Sequence, residues 1–183
     1  HLTVSPDYQS TEKYKEAGRN AIWLTHWADT EVFKVNPLTN TRVNLVCTRG
    51  YGTSGILDRL QHDMGEQFFN KNGFLGEEHA EILRSGRMIV QHSRHHEITR
   101  RIFEGMACGR MVITDKLPKE THIEDLFDHN KEIVFYTDYT DLLSKIEYYL
   151  HHPDDRERIA TAGHLKTLRY PTQVQRVETI LKQ

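Results

Sequence analysis

The chain has 183 residues, of which 37% are hydrophobic and 27% charged, and its formal net charge is −2. This composition favours a folded core and excludes a disordered, collagen-like or proline-rich chain, and the small net charge argues against a nucleic-acid partner. The sequence has neither an apolar run of about 18 residues, as a transmembrane helix needs, nor a signal peptide, and it does not begin with Met, so we expect a piece of a longer protein.

Residues 1–40 are predicted to be the tail of a preceding domain and a linker. A helix end over 14–18 and a strand over 21–24 are followed by an irregular connection over 27–37. Residues 41–183 are expected to form one domain.

From residue 43 the chain alternates strand-like and helix-like segments. Short apolar runs rich in β-branched residues predict strands, and apolar residues at helical spacing predict helices. The predicted strands are 43–47, 66–70, 87–91, 110–114 and 132–136. The predicted helices are 54–64, 77–84, 99–108, 122–128, 139–151, 154–162 and a last one after Pro171. Gly163 is predicted to end the helix 154–162.

Five strands alternating with helices predict parallel βαβ units, and right-handed crossovers make these a doubly wound open sheet. The predicted fold class is therefore α/β, a Rossmann-like doubly wound parallel sheet with C-terminal helices. Ligands of such sheets bind beyond the carboxyl ends of the strands. The loops expected to matter are 48–54, 71–76, 92–98, 115–121 and 137–139.

The loop after the first predicted core strand contains Gly50, Gly52 and Gly55 in the pattern G-x-G-x-x-G, preceded by Arg49. A strand, a glycine-rich turn and a helix N-terminus together can hold a phosphate. A dinucleotide site would also need an acid at the end of the second strand, and none follows it. Phosphate or diphosphate binding is therefore favoured over NAD binding, with a glycine-rich turn that binds no ligand as the alternative.

Residues 84–110 hold six arginines, two glutamates and no lysine. The planar guanidinium group suits phosphate, so this segment predicts an anion site. Thr99 can cap the helix that follows, and Arg100, Arg101 and Glu104 share one side of it. A plain i,i+4 ion pair between Arg100 and Glu104 is the alternative to a ligand-binding role.

Neither a metal site nor a disulfide framework is expected. His92, His95 and His96 cluster, but the chain contains no H-E-x-x-H and no C-x-x-C motif. Cys47 and Cys108 lie in apolar contexts and are predicted to be buried, reduced thiols. Reduced thiols suit a reducing compartment, so we expect a cytoplasmic protein. Separately, no cofactor is expected.

Several stretches are distinctive in their order along the chain: 101–109 (RIFEGMACG), 112–115 (VITD), 132–136 (EIVFY) and 148–153 (YYLHHP). With them, residues 43–182 resemble the carboxyl-terminal half of a GT-B glycosyltransferase, and the spore-maturation-type group is the most similar. Upstream, residues 29–33 (DTEVF) are similar to the connection between the two domains of that family.

The resemblance implies two facing Rossmann-like domains, of which the second holds a nucleotide-diphosphate sugar. Related families place a Glu, seven residues and a second Glu near the donor sugar and the ribose. Glu104 matches the second Glu, whereas the first position falls on His96, with Glu97 one residue later, so the catalytic role is left open between these two. The residues expected to bind the donor are Arg49, Gly50, Gly52, Thr99, Arg101 and Glu104.

The function predicted from the sequence is metal-independent transfer of a sugar from a nucleotide sugar to a carbohydrate or glycoconjugate acceptor by the full-length protein. Peripheral membrane association of that protein is an option. The present chain, without a first domain, is expected to be inactive. The alternatives are a nucleotide-sugar epimerase of the same fold and a non-catalytic module that binds nucleotides or a partner protein.

Overall fold

A small βαβ unit opens the chain in the computed structural model, which describes residues 1–48 and 55–182. It consists of β1 (Leu2–Ser5), α1 (Tyr8–Glu16) and β2 (Asn20–Trp23), and β1 pairs with β2 in parallel. Asp7 caps α1 by accepting a hydrogen bond from the backbone N–H of Ser10 at 2.6 Å. The sequence predicts the end of α1 and the strand β2, but not β1.

The larger sheet has five parallel strands in the order β4-β3-β5-β6-β7. The strands are β3 (Val43–Thr48), β4 (Phe68–Lys71), β5 (Gly86–Gln91), β6 (Met111–Asp115) and β7 (Val134–Tyr136). All five predicted core strands are present, and the α/β fold class is confirmed. The predicted strand 66–70 starts too early, because residues 65–67 form a 3-10 turn.

Helices cover both faces of this sheet. They are α2 (Gly55–Met64), α3 (Gly76–Ser85), α4 (Arg100–Ala107), α5 (Ile123–Leu126), α6 (Tyr139–His151), α7 (Pro153–Thr167) and α8 (Gln173–Leu181). On one face Val46 and Ile89 pack in the same core as Ile102 and Phe103 of α4. Since successive strand residues point to opposite faces, Leu45 and its neighbours pack instead against α2, α6 and α7. No helix formed by the described residues is long and apolar enough to span a membrane.

Helix α7 does not end where the sequence predicted. It runs through Gly163 to Thr167, whose hydroxyl donates to the Gly163 carbonyl at 2.9 Å. A Cβ on Gly163 would lie 2.6 Å from the carbonyl oxygen of Glu132, just before β7. This glycine therefore allows a helix and the backbone entering a strand to approach closely, and it is not a helix end.

Candidate functional site

A cavity of about 450 Å³ opens at the carboxyl edge of the five-stranded sheet, beside Thr48 at the end of β3. Its walls come from the segment 72–76 between β4 and α3, from the first turns of α3 and α4, and from residues within 27–33, which precede β3. The lining residues include Trp27, Thr48, His79, Arg100, Arg101 and Glu104. The cavity therefore lies at the strand ends where a ligand was expected.

Glu104 lies at the cavity with its carboxylate almost fully buried, since its side chain is 3% exposed. Arg100, one turn earlier on α4, donates from Nε to Glu104 Oε1 at 2.8 Å, and its own side chain is 59% exposed. Burial raises the pKa of the Glu104 carboxyl, and the Arg100 guanidinium opposes that shift. The i,i+4 pair weighed from the sequence is thus present, but its carboxylate faces a cavity and is not on the open surface.

His79, on α3, was not selected from the sequence. Its Nε2 lies 2.6 Å from Thr48 Oγ1, and its Nδ1 lies 3.9 Å from Glu104 Oε2. Burial lowers the pKa of His79 to about 4, and the guanidinium groups of Arg101 and Arg100 act in the same direction. The ring is therefore neutral at pH 7. A lone histidine inside a predicted helix carries no local signal of a site.

Arg101 is held at the end of β5 and lines the same cavity. Its Nε donates to Gln91 Oε1 at 2.9 Å, and Gln91 is the last residue of that strand. Thr99 occupies the N-cap position of α4, as predicted. Its side chain makes no capping hydrogen bond, however, and its buried Oγ1 has no hydrogen-bond partner among the described residues. The expectation that the Thr99 hydroxyl caps α4 is therefore wrong.

His96 and Glu97 lie on the loop between β5 and α4. His96 is exposed with a φ of 54°, and the backbone N–H of Glu97 donates to Ser93 Oγ at 2.7 Å. Neither residue is among those that line the cavity. The loop leads into α4, whose first residues line the cavity, but the catalytic role of either residue stays a prediction.

A second buried polar cluster fixes the start of that loop, and it was not predicted from the sequence. The backbone N–H of Ser93 donates to Asp115 Oδ1 at 2.8 Å, and His92 Nδ1 lies 2.8 Å from the hydroxyl of Tyr136. Burial raises the pKa of the Asp115 carboxyl and of the Tyr136 hydroxyl. The cluster joins the ends of β5, β6 and β7, and its members are distant in sequence, so no local pattern reveals it.

The glycine-rich loop predicted to hold a diphosphate is only partly described. Arg49, Gly50 and Gly52 lie outside the described residues, whereas Gly55 begins α2, and a Cβ added there would meet no atom within 4 Å. The last described residue before this loop is Thr48, which ends β3 and lines the cavity. Within residues 1–48 and 55–182, no group of three or more His, Cys, Asp or Glu side chains is arranged to hold a metal ion.

Comparisons with known proteins point to one family. A family model described as glycosyl transferase-like matches residues 33–182. Among the curated proteins, no significant sequence match is found.

Several solved structures share the fold. HepE from Anabaena in complex with UDP-glucose is 13% identical with a TM-score of 0.79, covering 100% of this chain and 64% of that chain. A glycosyltransferase from Rickettsia africae is 11% identical with a TM-score of 0.74, covering 98% and 61% of the two chains. Sucrose-phosphate synthase from Thermosynechococcus elongatus is 12% identical with a TM-score of 0.68, covering 99% and 58%. This chain therefore spans less than two thirds of each of these neighbours.

Proposed function

The chain belongs to the glycosyl transferase-like family, and on that premise we propose that it is the nucleotide-sugar-binding domain of a GT-B glycosyltransferase of the spore-maturation type. The observation that carries the proposal is the cavity at the carboxyl edge of the sheet, where a buried carboxylate, Glu104, lies beside two arginines, Arg100 and Arg101. A cavity with a buried carboxylate acceptor and two nearby guanidinium groups suits a ligand that has both hydroxyls and phosphates.

In the proposed complex, the ribose hydroxyls donate to Glu104. The diphosphate lies near Arg101, the N-terminus of α4 at Thr99, and the loop with Arg49, Gly50 and Gly52. Guanidinium donors and a helix N-terminus both stabilise anions. The sugar then extends towards the loop of His96 and Glu97, one of which contacts it.

Glycosyl transfer breaks the bond between the anomeric carbon and the diphosphate oxygen and forms a bond to an acceptor hydroxyl, whose proton is released. The negative charge that develops on the leaving diphosphate needs stabilisation, and arginines supply it without a metal ion. An acceptor must be held against the donor in a defined geometry. We therefore expect this chain to bind the donor without transferring the sugar, and the acceptor to be bound by a facing domain.

Isothermal titration of the chain with UDP, GDP and ADP in EDTA tests the proposal. UDP is the first probe because the HepE structure is a complex with UDP-glucose. We expect at least one nucleoside diphosphate to bind, with an affinity that added Mg²⁺ leaves unchanged. Arg49→Ala should weaken binding by about 1.5–3 kcal/mol, the range for hydrogen bonds to charged groups.

The controls separate the parts of the proposal. Glu147→Gln changes an exposed glutamate on α6, outside the cavity lining, and should leave binding unaltered. Failure of every nucleotide and nucleotide sugar to bind would overturn the assignment, and a requirement for Mg²⁺ would overturn metal independence. Product analysis with a full-length protein distinguishes transfer from epimerisation and from a non-catalytic module.

A further inference from the structure

His79 and Glu104 face each other across a gap that is too wide for a direct hydrogen bond. His79 Nδ1 and Glu104 Oε2 are 3.9 Å apart, and both side chains line the cavity. One oxygen atom can lie about 2.8 Å from each of them, since hydrogen bonds of that length are normal. The gap therefore has room for a bridging hydroxyl group of a ligand.

The other ring nitrogen determines what His79 offers to that hydroxyl. A neutral imidazole has one N–H donor and one acceptor nitrogen. The Thr48 hydroxyl, 2.6 Å from Nε2, can donate to it, which leaves the ring proton on Nδ1 and facing the carboxylate. The opposite tautomer would set the Nδ1 lone pair against Glu104 Oε2, which is unfavourable in a buried site. The favoured arrangement thus places a donor and an acceptor side by side.

The ring is also held in place. The Phe33 ring packs edge-on against it, with the ring centroids 5.4 Å apart. The charged groups around it are Arg100 and Arg101 on α4, in addition to Glu104, and both arginines favour a neutral ring. His79 is therefore a fixed, uncharged hydrogen-bonding group, and its donor direction depends on Thr48.

We propose that His79 is a specificity-determining residue that, together with Glu104, recognises one ribose hydroxyl of the donor nucleotide. The hydroxyl donates to Glu104 Oε2 and accepts from His79 Nδ1–H. A hydrogen atom in its place can do neither, so a deoxyribonucleotide leaves both groups unsatisfied. This inference rests on the proposed function, since it needs a nucleotide in this cavity.

The test measures the affinity of the chain for UDP, 2′-deoxy-UDP and 3′-deoxy-UDP. We expect the wild type to prefer UDP over one of the deoxynucleotides by about 10-fold or more, as loss of a hydrogen bond to a charged group implies. In His79→Gln the amide takes roughly the place of Nε2, and the preference should fall to about 3-fold or less. In His79→Asn the amide N–H takes roughly the place of Nδ1–H, and a larger part of the preference should remain. His62→Gln, at an 88% exposed histidine on α2, is the matched control and should keep the full preference.

A second pair of variants tests the role of the Thr48 hydroxyl without altering the ring. Thr48→Val removes the donor to Nε2 and should reduce the preference for UDP, whereas Thr48→Ser keeps a hydroxyl and should retain it. A residue that only supports the fold would change stability or all three affinities together, and not their ratio. If the histidine variants do not fold, the Thr48 pair decides.

The outcomes separate this inference from the function on which it rests. If wild-type protein binds UDP, and the His79→Gln or Thr48→Val variant keeps the wild-type ratio, the role of His79 is wrong and the donor site stands. If wild-type protein binds UDP and both deoxynucleotides equally, the proposal that His79 and Glu104 recognise a ribose hydroxyl is wrong. If it binds no nucleotide, both proposals are wrong.

Discussion

The two partners of the Glu104–Arg100 ion pair differ greatly in their exposure to solvent. The side chains are 3% and 59% exposed, respectively. An exposed pair would contribute well under about 1 kcal/mol and could be lost without consequence. A carboxylate that is buried beside a cavity keeps its acceptor oxygens away from bulk water, so its value for binding a hydroxyl is higher than that of a surface carboxylate.

The first prediction concerns Glu104→Gln. The amide keeps the size of the side chain but loses the charge and one acceptor, so UDP binding should weaken by about 1.5–3 kcal/mol, or roughly 10- to 150-fold. The free energy of unfolding should change by less than about 1 kcal/mol, because a neutral amide relieves the desolvation of the carboxylate while exposed Arg100 remains in water. Calorimetric titration and urea unfolding measure the two effects. Unchanged UDP affinity would remove Glu104 from the site.

The second prediction is a pH dependence of stability that originates at His79. Its pKa of about 4 in the folded chain is below the ordinary value of 6.5, so the unfolded chain takes up the proton first. The stability from the neutral ring is complete above about pH 6.5 and is lost as the pH falls towards 4. Burial lowers the pKa of His26 and His129 in the same direction, whereas the raised pKa values of Glu104 and Asp115 act in the opposite one.

Urea unfolding at pH 7, 6 and 5 of the wild type and of His79→Asn isolates this contribution, because asparagine does not titrate. We expect the wild type to lose more stability than the variant between pH 7 and pH 5. Parallel pH profiles of the two proteins would show that His79 does not titrate differently in the folded and unfolded chains.

The sequence predicts the members of the site that lie on one helix, but not those that reach the cavity through packing. Arg101 and Glu104 follow from the spacing along α4 and from the resemblance. His79 and Trp27 reach the cavity only because α3 and the segment before β3 pack there, and neither residue carries a local motif. Burial of Glu104 was equally invisible, since a helical spacing says which residues share a side but not what covers that side.

At the scale of whole elements, the strands could be predicted from the sequence, but the role of Gly163 in helix packing could not. The five predicted core strands are present in the structure. Short apolar runs of this kind are typical of parallel strands that are buried on both faces, so the pattern identifies them. Gly163 was interpreted as a helix end because glycine often occupies that place. In the structure it lies inside α7, facing the backbone at Glu132, and no pattern along the chain distinguishes the two roles.

The third prediction is that Gly163→Ala destabilises the chain. Alanine is the better helix former by about 1 kcal/mol. Its Cβ would lie 2.6 Å from the Glu132 carbonyl oxygen, which cannot rotate away as a side chain could. We expect a net loss of about 1–3 kcal/mol, the usual effect of overpacking.

Thr161→Ala, at an exposed position on the same helix, provides the control for helix propensity. Urea unfolding should show no loss for it. Equal free energies of unfolding for the Gly163→Ala and Thr161→Ala variants would mean that the stability of the chain does not depend on the close approach of α7 to the backbone at Glu132.

At the scale of the whole molecule, Arg176 joins the last helix to the segment that follows the first βαβ unit. Its side chain is buried, donates to the carbonyl oxygens of Thr25 at 2.6 Å and His26 at 3.4 Å, and lies over the Trp27 ring at 4.5 Å. Trp27 is part of the cavity wall. One buried guanidinium group thus connects residues about 150 positions apart and supports the site from outside it.

The fourth prediction follows from this connection. Arg176→Lys keeps the charge but loses the forked donors and the planar contact with Trp27. We expect a loss of about 1.5–3 kcal/mol in the free energy of unfolding, faster amide exchange over residues 24–28, and weaker UDP binding. Arg169→Lys, at an exposed arginine, should leave all three unchanged. Unaltered exchange over 24–28 would show that Arg176 does not hold this segment.

The first βαβ unit has a consequence for how the chain behaves at high concentration. β1 and β2 pair with each other, and each has one backbone edge without a strand partner among residues 1–48 and 55–182. Such edges are templates on which a second molecule can add a strand. An apparent molar mass from light scattering that increases with concentration would reveal this self-association, and a constant monomer mass would contradict it. Val4 on β1 is 39% exposed and does not line the ligand cavity. Val4→Lys should therefore reduce edge pairing and leave the cavity unaltered.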